Sequence, residues 1–186
     1  ASSSKGIFAN AEAANESFRF IKFGLVKAGE VPFEIVSPTK SSSGNNIVVL
    51  KGGSGFAKTL PHRVEIRVGV AAKQLCFLGG VAGWGWPSGG DRNRDLPVAK
   101  VTVRYADQQT EEIILKNGQE FADYTGNYDV PGSQEAPGLV KSGQIRWFSK
   151  RLQRTAVIDT VTLESYDNAV APAFVALTAE LAETQP

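Results

Sequence analysis

Two tryptophans, Trp84 and Trp86, lie in a stretch of the chain that is dense in glycine and also contains Pro87. Glycine and proline at this density interrupt both helices and strand ladders, so the stretch predicts a loop. Large aromatic side chains on a loop present flat faces that suit flat, polar ligands such as sugars. We therefore take Trp84 and Trp86 as candidate ligand-binding residues. The alternative is that both belong to the core, because residues two apart on a strand share one face.

A charged run follows directly, from Asp91 to Asp95. Aspartate and arginine side chains, here Asp91, Arg92 and Arg94, are able to make bidentate and charge-assisted hydrogen bonds, which is the chemistry needed to hold sugar hydroxyl groups. These three residues are candidate ligand contacts. The alternative is a solvated loop without a ligand.

A second long polar segment, residues 122–142, is rich in Gly, Pro, Asp and Tyr. Loops of roughly 20 residues are uncommon in compact domains and are typical of binding loops or of disordered excursions. Because the segment contributes Tyr124 and Tyr128, we favour binding and add both tyrosines to the candidate ligand contacts.

Residues suited to catalysis do not form a recognisable motif. His62 is the single histidine, and no Gly-x-Ser-x-Gly elbow accompanies it, so we place it at the surface or at a strand edge. Glycoside hydrolysis needs two carboxylates facing one bond, whereas Glu111 and Glu112 are adjacent in a predicted strand and face opposite sides. Cys76, the single cysteine, lies in an apolar run and is predicted to be a buried, inert thiol.

Length and composition predict one domain. The chain has 186 residues, of which 42% are hydrophobic and 21% are charged, enough for one well-buried core. We expect an N-terminal segment over residues 1–17, a single domain over 18–182 and a short tail over 183–186. The net charge of +1 disfavours nucleic acid and anionic membranes as partners.

The chain has no methionine and no run of about 18 apolar residues. We interpret the first feature as typical of a processed mature chain or an excised module, and we expect a secreted or extracytoplasmic location.

Strand patterns dominate the sequence, so we expect β-strands to position these residues. Residues 63–70 show near-perfect period-two alternation, which predicts Val64, Ile66, Val68 and Val70 on one face of a half-buried strand. Helical periodicity is weak, with exceptions only at residues 10–17 and 120–124. Further predicted strands cover residues 18–23, 47–50, 74–77, 99–105, 111–115, 156–165 and 173–181.

Turn signals separate the predicted strands. Residues 106–110 fit a hairpin connection, and Asn117-Gly118 is the pair favoured where φ is positive. Many short strands with turns between them and no alternating helices predict an all-β fold, an antiparallel β-sandwich of jelly-roll type.

The succession of these segments resembles a family of bacterial β-sandwich modules that are appended to secreted glycoside hydrolases and related polysaccharide-processing proteins. Those modules are similar to galactose-binding-like carbohydrate-binding domains. The resemblance covers roughly residues 20 to 180, and it rests on Val31 to Val36, Leu75 to Gly80 with Trp84 nearby, Val101 to Asp107, Ile158 to Ser165, and Phe174 to Thr178.

The resemblance implies a galactose-binding-like jelly roll that binds a polysaccharide or oligosaccharide without catalysing a reaction. Jelly rolls of this kind often carry a structural calcium ion, for which Asp123, Asn127 and Asp129 are candidate oxygen ligands, and no other cofactor is expected. Two alternatives stay open. One is a structural or protein-interaction module that packs against a catalytic domain of its parent enzyme, and the other is a small glycoside hydrolase.

Overall fold

The computed structural model describes residues 20–53, 55–83 and 85–182, and these residues form ten β-strands, three short 3-10 turns and no α-helix. The all-β prediction is therefore confirmed. The predicted segments 1–17 and 183–186 lie outside the described residues. The strands are β1 (Gly24–Ala28), β2 (Val31–Ile35), β3 (Val48–Val49), β4 (Arg63–Ala82), β5 (Pro97–Tyr105), β6 (Thr110–Lys116), β7 (Gln134–Glu135), β8 (Arg146–Arg151), β9 (Val157–Ser165) and β10 (Ala171–Leu181).

The 20-residue strand β4 belongs to two sheets. Its C-terminal half lies between β10 and β8, and with β3 and β7 at the edges these strands form sheet I. Its N-terminal half pairs with β9, which is followed by β5 and β6 to form sheet II. Every named pair is antiparallel, as predicted. The chain is a β-sandwich, while the jelly-roll connectivity stays a prediction.

The main core lies between the two sheets. Leu75 and Phe77 of sheet I face Val101, Val103 and other inward residues of sheet II, and all four are fully buried. The ring of Phe77 stacks on that of Phe148 at 5.1 Å between centroids. Aromatic contacts of this kind stabilise a core beyond the burial of area alone.

A second core covers the other face of sheet I. Phe33 and Ile35 from the β1–β2 hairpin pack there against Cys76 and Leu78, together with residues from the segment after β6. Because sheet I is covered on both faces, every residue from Leu75 to Ala82 is buried, and strict alternation of polar residues is absent. The prediction for Cys76 is confirmed, and burial raises the pKa of its thiol to about 11.

The predicted face of β4 is correct for three of its four valine and isoleucine positions. Val64, Ile66 and Val68 pack against the main core, but Val70 is 38% exposed. The pairing register with β9 shifts between Arg67 and Val70, and Gly69 in this bulge has φ of +76°. An extra residue in one strand reverses the alternation, so the prediction for Val70 is wrong.

Local predictions around the turns have mixed outcomes. The hairpin between β5 and β6 is confirmed. Residues 120–124 form no helix, and the predicted strand over 18–23 is reduced to one bridge between Phe20 and Val140, with residues 18 and 19 outside the described part.

No helix within the described ranges has the length and apolar character needed to cross a membrane.

Candidate functional site

Trp86 lies in the loop that leaves the end of β4, and its side chain is half-buried. The loop is fixed to the neighbouring segment because the backbone N–H of Asp123 donates to the Trp86 carbonyl at 2.9 Å. Gly85 is required there, since a Cβ atom would lie 2.7 Å from Cγ2 of Val81. The peptide bond between Trp86 and Pro87 is cis. Trp84, the other predicted tryptophan, lies outside the described residues.

Three side chains surround the Trp86 indole. Its Nε1–H donates to Oδ1 of Asp91 at 3.1 Å. The guanidinium carbon of Arg94 lies 5.1 Å from the ring centroid, which is within the range of a cation–π interaction. The Tyr128 ring, also half-buried, lies 6.5 Å away at an angle of 58°. The structure therefore brings four predicted residues together, and with the exposed Arg92 we call them the loop site.

The charged part of the loop site is built on a 3-10 turn, Asp91–Asn93. Asp91, Arg92 and Arg94 are exposed, as a binding role requires, whereas Asn93 points inward and is 8% exposed. The buried Asn93 therefore anchors the loop, while the charged side chains on either side of it stay in solvent.

Asn117 holds the loop site in place through hydrogen bonds to the segment that carries it, and sequence reasoning missed this role. Its side-chain Nδ2 donates to the Asn93 carbonyl at 2.9 Å, its backbone N–H donates to Leu96, and its carbonyl accepts from Asp95 at 2.8 Å. The next residue, Gly118, has φ of +74°, as the Asn-Gly pair predicted. The turn signal was visible in the sequence, but the contact with a loop more than 20 residues earlier was not.

The two predicted tyrosines have different environments. Tyr128 contributes its ring to the loop site, whereas Tyr124 is only 3% exposed and packs in the second core. The backbone N–H of Tyr124 donates to Val81, which draws this residue onto sheet I. We therefore correct the surface role expected for Tyr124, because a side chain at this depth does not face a ligand.

Gly126 determines where the Tyr128 ring lies. A Cβ atom at position 126 would be 1.9 Å from Cε2 of Tyr128, so the ring folds back directly over this glycine. The φ angle of Gly126 is not in the left-handed region, so the glycine is needed for space and not for backbone conformation. The Gly126-to-Tyr128 spacing is the local signal that accounts for the ring position.

Arg146, at the start of β8, organises the segment that carries Tyr128. Its guanidinium is 2% exposed and donates five hydrogen bonds, to Oγ and O of Ser133, O of Tyr128, Oε1 of Gln144 and Oδ1 of Asp129. A buried guanidinium needs this many acceptors, because each unpaired N–H would cost free energy. Sequence reasoning missed Arg146, although an arginine between the buried Ile145 and the partly buried Trp147 is a signal of such a role.

The three candidate calcium ligands contact other groups or face solvent. Oδ1 of Asp123 accepts from both the backbone N–H and the hydroxyl of Thr125, and the carboxylate of Asp129 faces the positive guanidinium of Arg146. Asn127 is exposed. Within residues 20–53, 55–83 and 85–182, no three His, Cys, Asp or Glu residues are arranged to hold a metal ion. These contacts do not support calcium binding by the three residues.

Of the residues considered for catalysis, Glu111 and Glu112 lie in β6, and His62 directly precedes β4. Glu111 is buried and Glu112 is exposed, which confirms that they face opposite sides. The carboxylate of Glu111 accepts a hydrogen bond from the backbone N–H of Gln153. Burial raises the pKa of Tyr105 to about 12, and a hydrogen bond with Glu111 is the second cause of this shift. His62 is exposed, as expected, and its Nδ1 lies 4.0 Å from Glu164.

Comparison of the chain with protein-family models, with curated proteins and with solved structures found no match in any of the three.

Proposed function

We propose that this chain is a non-catalytic module that binds a polysaccharide or oligosaccharide at the loop site. The observation that supports this most is the environment of Trp86. Its indole is held at the edge by Asp91 and remains partly exposed next to the partly exposed Tyr128. Two aromatic rings fixed in position beside exposed charged groups suit a sugar ring with its hydroxyl groups. Trp84 remains a candidate contact from the sequence.

Binding begins from a prepared surface. Arg94 covers part of one indole face, so the sugar ring packs on the exposed remainder of Trp86 and beside Tyr128. Asp91 accepts hydrogen bonds from sugar hydroxyls, and Arg92 donates to ring or hydroxyl oxygens. Since Arg146 and Asn117 already fix the two loops, little conformational entropy is lost on binding.

The expected affinity is low. Water competes for every sugar hydroxyl, so each hydrogen bond contributes only about 1 kcal/mol net. We expect dissociation constants of roughly micromolar to millimolar for one site, with tighter binding only when several copies act on one polymer.

Substitution of Trp86 tests the proposal. Trp86→Ala should abolish retardation in affinity gels that contain the bound polysaccharide, while the melting temperature changes little because the side chain is only half-buried. Trp84→Ala should weaken binding in the same assay. Phe23→Ala, which removes an aromatic side chain that is 44% exposed elsewhere, is the matched control. Loss of about 3 kcal/mol of stability in Trp86→Ala would instead identify a core aromatic residue.

A second candidate, a protein-interaction module of a larger secreted enzyme, has one observation in its favour. Ile21, Phe23 and Leu25 alternate along the chain before and within β1, and they are 56%, 44% and 78% exposed. Exposed apolar groups in a row are typical of surfaces that contact other proteins. Absence of retardation on every polysaccharide in a broad panel of plant and algal glycans would favour this candidate over the first.

A further inference from the structure

Opposite charges in the run from Asp91 to Asp95 lie close together in the chain but do not pair with each other. Among the described residues, neither Arg92 nor Arg94 forms an ion pair with a carboxylate. Asp91 instead accepts from the Trp86 indole, and Asp95 accepts from Nε2 of Gln119 at 2.6 Å. Neutral N–H donors thus hold both carboxylates, and both guanidinium groups keep their donors for solvent or for a ligand.

The guanidinium of Arg94 is also held in a defined place. Its side chain runs over Gly118, where a Cβ atom would lie only 2.9 Å from Cγ of Arg94. Its charged end then lies over the Trp86 ring. A guanidinium held over an aromatic ring by a cation–π contact still has N–H groups free, and its planar fork matches the two oxygens of a carboxylate.

We propose that the loop site recognises an acidic saccharide, with a uronic acid unit as the bound sugar. The Arg94 guanidinium receives the uronate carboxylate as a bidentate pair, and Arg92 adds a second positive charge beside it. Asp91, whose Oδ1 is already turned to the indole, accepts from a sugar hydroxyl with its other oxygen. This inference rests on the proposed function and specifies its substrate class.

Recognition of this kind acts at short range. The two arginines and the two aspartates between Asp91 and Asp95 sum to zero charge, so no long-range field attracts a polyanion. The preference for an acidic sugar therefore depends on hydrogen-bond geometry, and we expect it to persist at moderate salt. Because both arginines are exposed, the expected gain from the carboxylate is about tenfold in affinity, at the lower end for charge-assisted pairs.

The test compares three tetrasaccharides that differ in one chemical group. The probes are tetragalacturonate, its methyl ester, in which the carboxylate is blocked, and neutral galactotetraose, each titrated into the protein by calorimetry. We expect tetragalacturonate to bind about tenfold more tightly than the other two. A sulfated galactan of similar length distinguishes a general preference for anions, and equal or tighter binding of this probe would overturn the uronate assignment.

Variants assign the effect to the guanidinium groups. Arg94→Gln should remove most of the preference for the acid, Arg94→Lys should remove a large part of it because the planar fork is lost, and Arg92→Gln should reduce it less. Arg63→Gln, at an exposed arginine of β4 that makes no ion pair within the described ranges, is the matched control and should change nothing.

The outcomes separate this inference from the proposed function. Equal binding of the acid, its ester and the neutral sugar would overturn the acidic-sugar assignment and leave carbohydrate binding in place. Absence of binding to all four probes and to the wider glycan panel would overturn both. A preference for the acid that survives Arg94→Gln and Arg92→Gln would also overturn the assignment to this site.

Discussion

Replacement of Arg146 by methionine should destabilise the protein strongly and release the segment that carries Tyr128. Methionine keeps much of the apolar length of the side chain but removes all five hydrogen-bond donors. Gln144 and Ser133, both buried, then lose donors that water does not readily replace. The backbone carbonyl of Tyr128 loses its anchor as well.

The magnitude follows from which acceptors are buried. The side chain of Asp129 is fully exposed, so water hydrates its carboxylate after the substitution and its loss costs little. Each buried acceptor left unpaired costs about 1–3 kcal/mol, and breaking a buried charged network typically costs about 3–5 kcal/mol. We therefore expect Arg146→Met to lower the free energy of unfolding by about 3–5 kcal/mol.

Urea unfolding followed by tryptophan fluorescence measures this change, and the transition slope reports whether two-state behaviour is kept. Arg151→Met, at an exposed arginine on the same strand, is the matched control and should change stability by less than about 0.5 kcal/mol. Asp129→Asn should cost less than about 1 kcal/mol. A change below about 1 kcal/mol in Arg146→Met would refute the reasoning, and an equal cost in Asp129→Asn would assign the anchoring to the ion pair alone.

Three further predictions concern other parts of the structure. Gly126→Ala should displace the Tyr128 ring and weaken sugar binding several-fold in affinity gels, with the unchanged binding of Tyr166→Ala as the control for a tyrosine elsewhere on the surface. Cys76 should resist alkylation by iodoacetamide at pH 8 until the protein unfolds, since burial keeps its thiol protonated, and rapid labelling of the native protein would contradict this. The hydrogen bond from Arg154 lowers the pKa of Asp107. The stabilisation by this hydrogen bond is therefore present at neutral pH and is lost as the pH falls through the lowered pKa. The melting temperature of Asp107→Asn should accordingly fall less in acid than that of the unchanged protein.

Local sequence patterns predicted much of the fold. Alternation in residues 63–68 and the runs of β-branched residues identified strands, and Asn117-Gly118 identified a position of positive φ. These features depend on neighbours within a few residues, and side-chain periodicity and turn chemistry are properties of such short windows. The apolar run at Leu75 to Leu78 indicated burial for the same reason.

The candidate site was predictable only in part. Glycine density marked the Trp86 loop, and charge marked Asp91, Arg92 and Arg94, since both features are local. The different fates of Tyr124 and Tyr128 were not visible, because two tyrosines in one polar segment have similar neighbours in the chain. Backbone hydrogen bonds join Tyr124 to Val81 of β4 and to Gln144, and its ring is buried, whereas the Tyr128 ring is only half-buried.

The sequence by itself determined that this chain forms antiparallel strands joined by turns, with an aromatic and charged loop between two of the predicted strands. It did not show that the predicted strands 63–70 and 74–77 are parts of the single 20-residue strand β4. Only the tertiary structure decided which residues hold the loop site together. Asn117 bonds to Asn93 of the loop, and Arg146 bonds to Tyr128 of the neighbouring segment. The tertiary structure also decided that Val70 faces solvent, since a bulge opposite β9 reverses the alternation there. The physical reason is the same in each case, because hydrogen bonds and packing between distant segments depend on the register of strand pairing, which local composition does not encode.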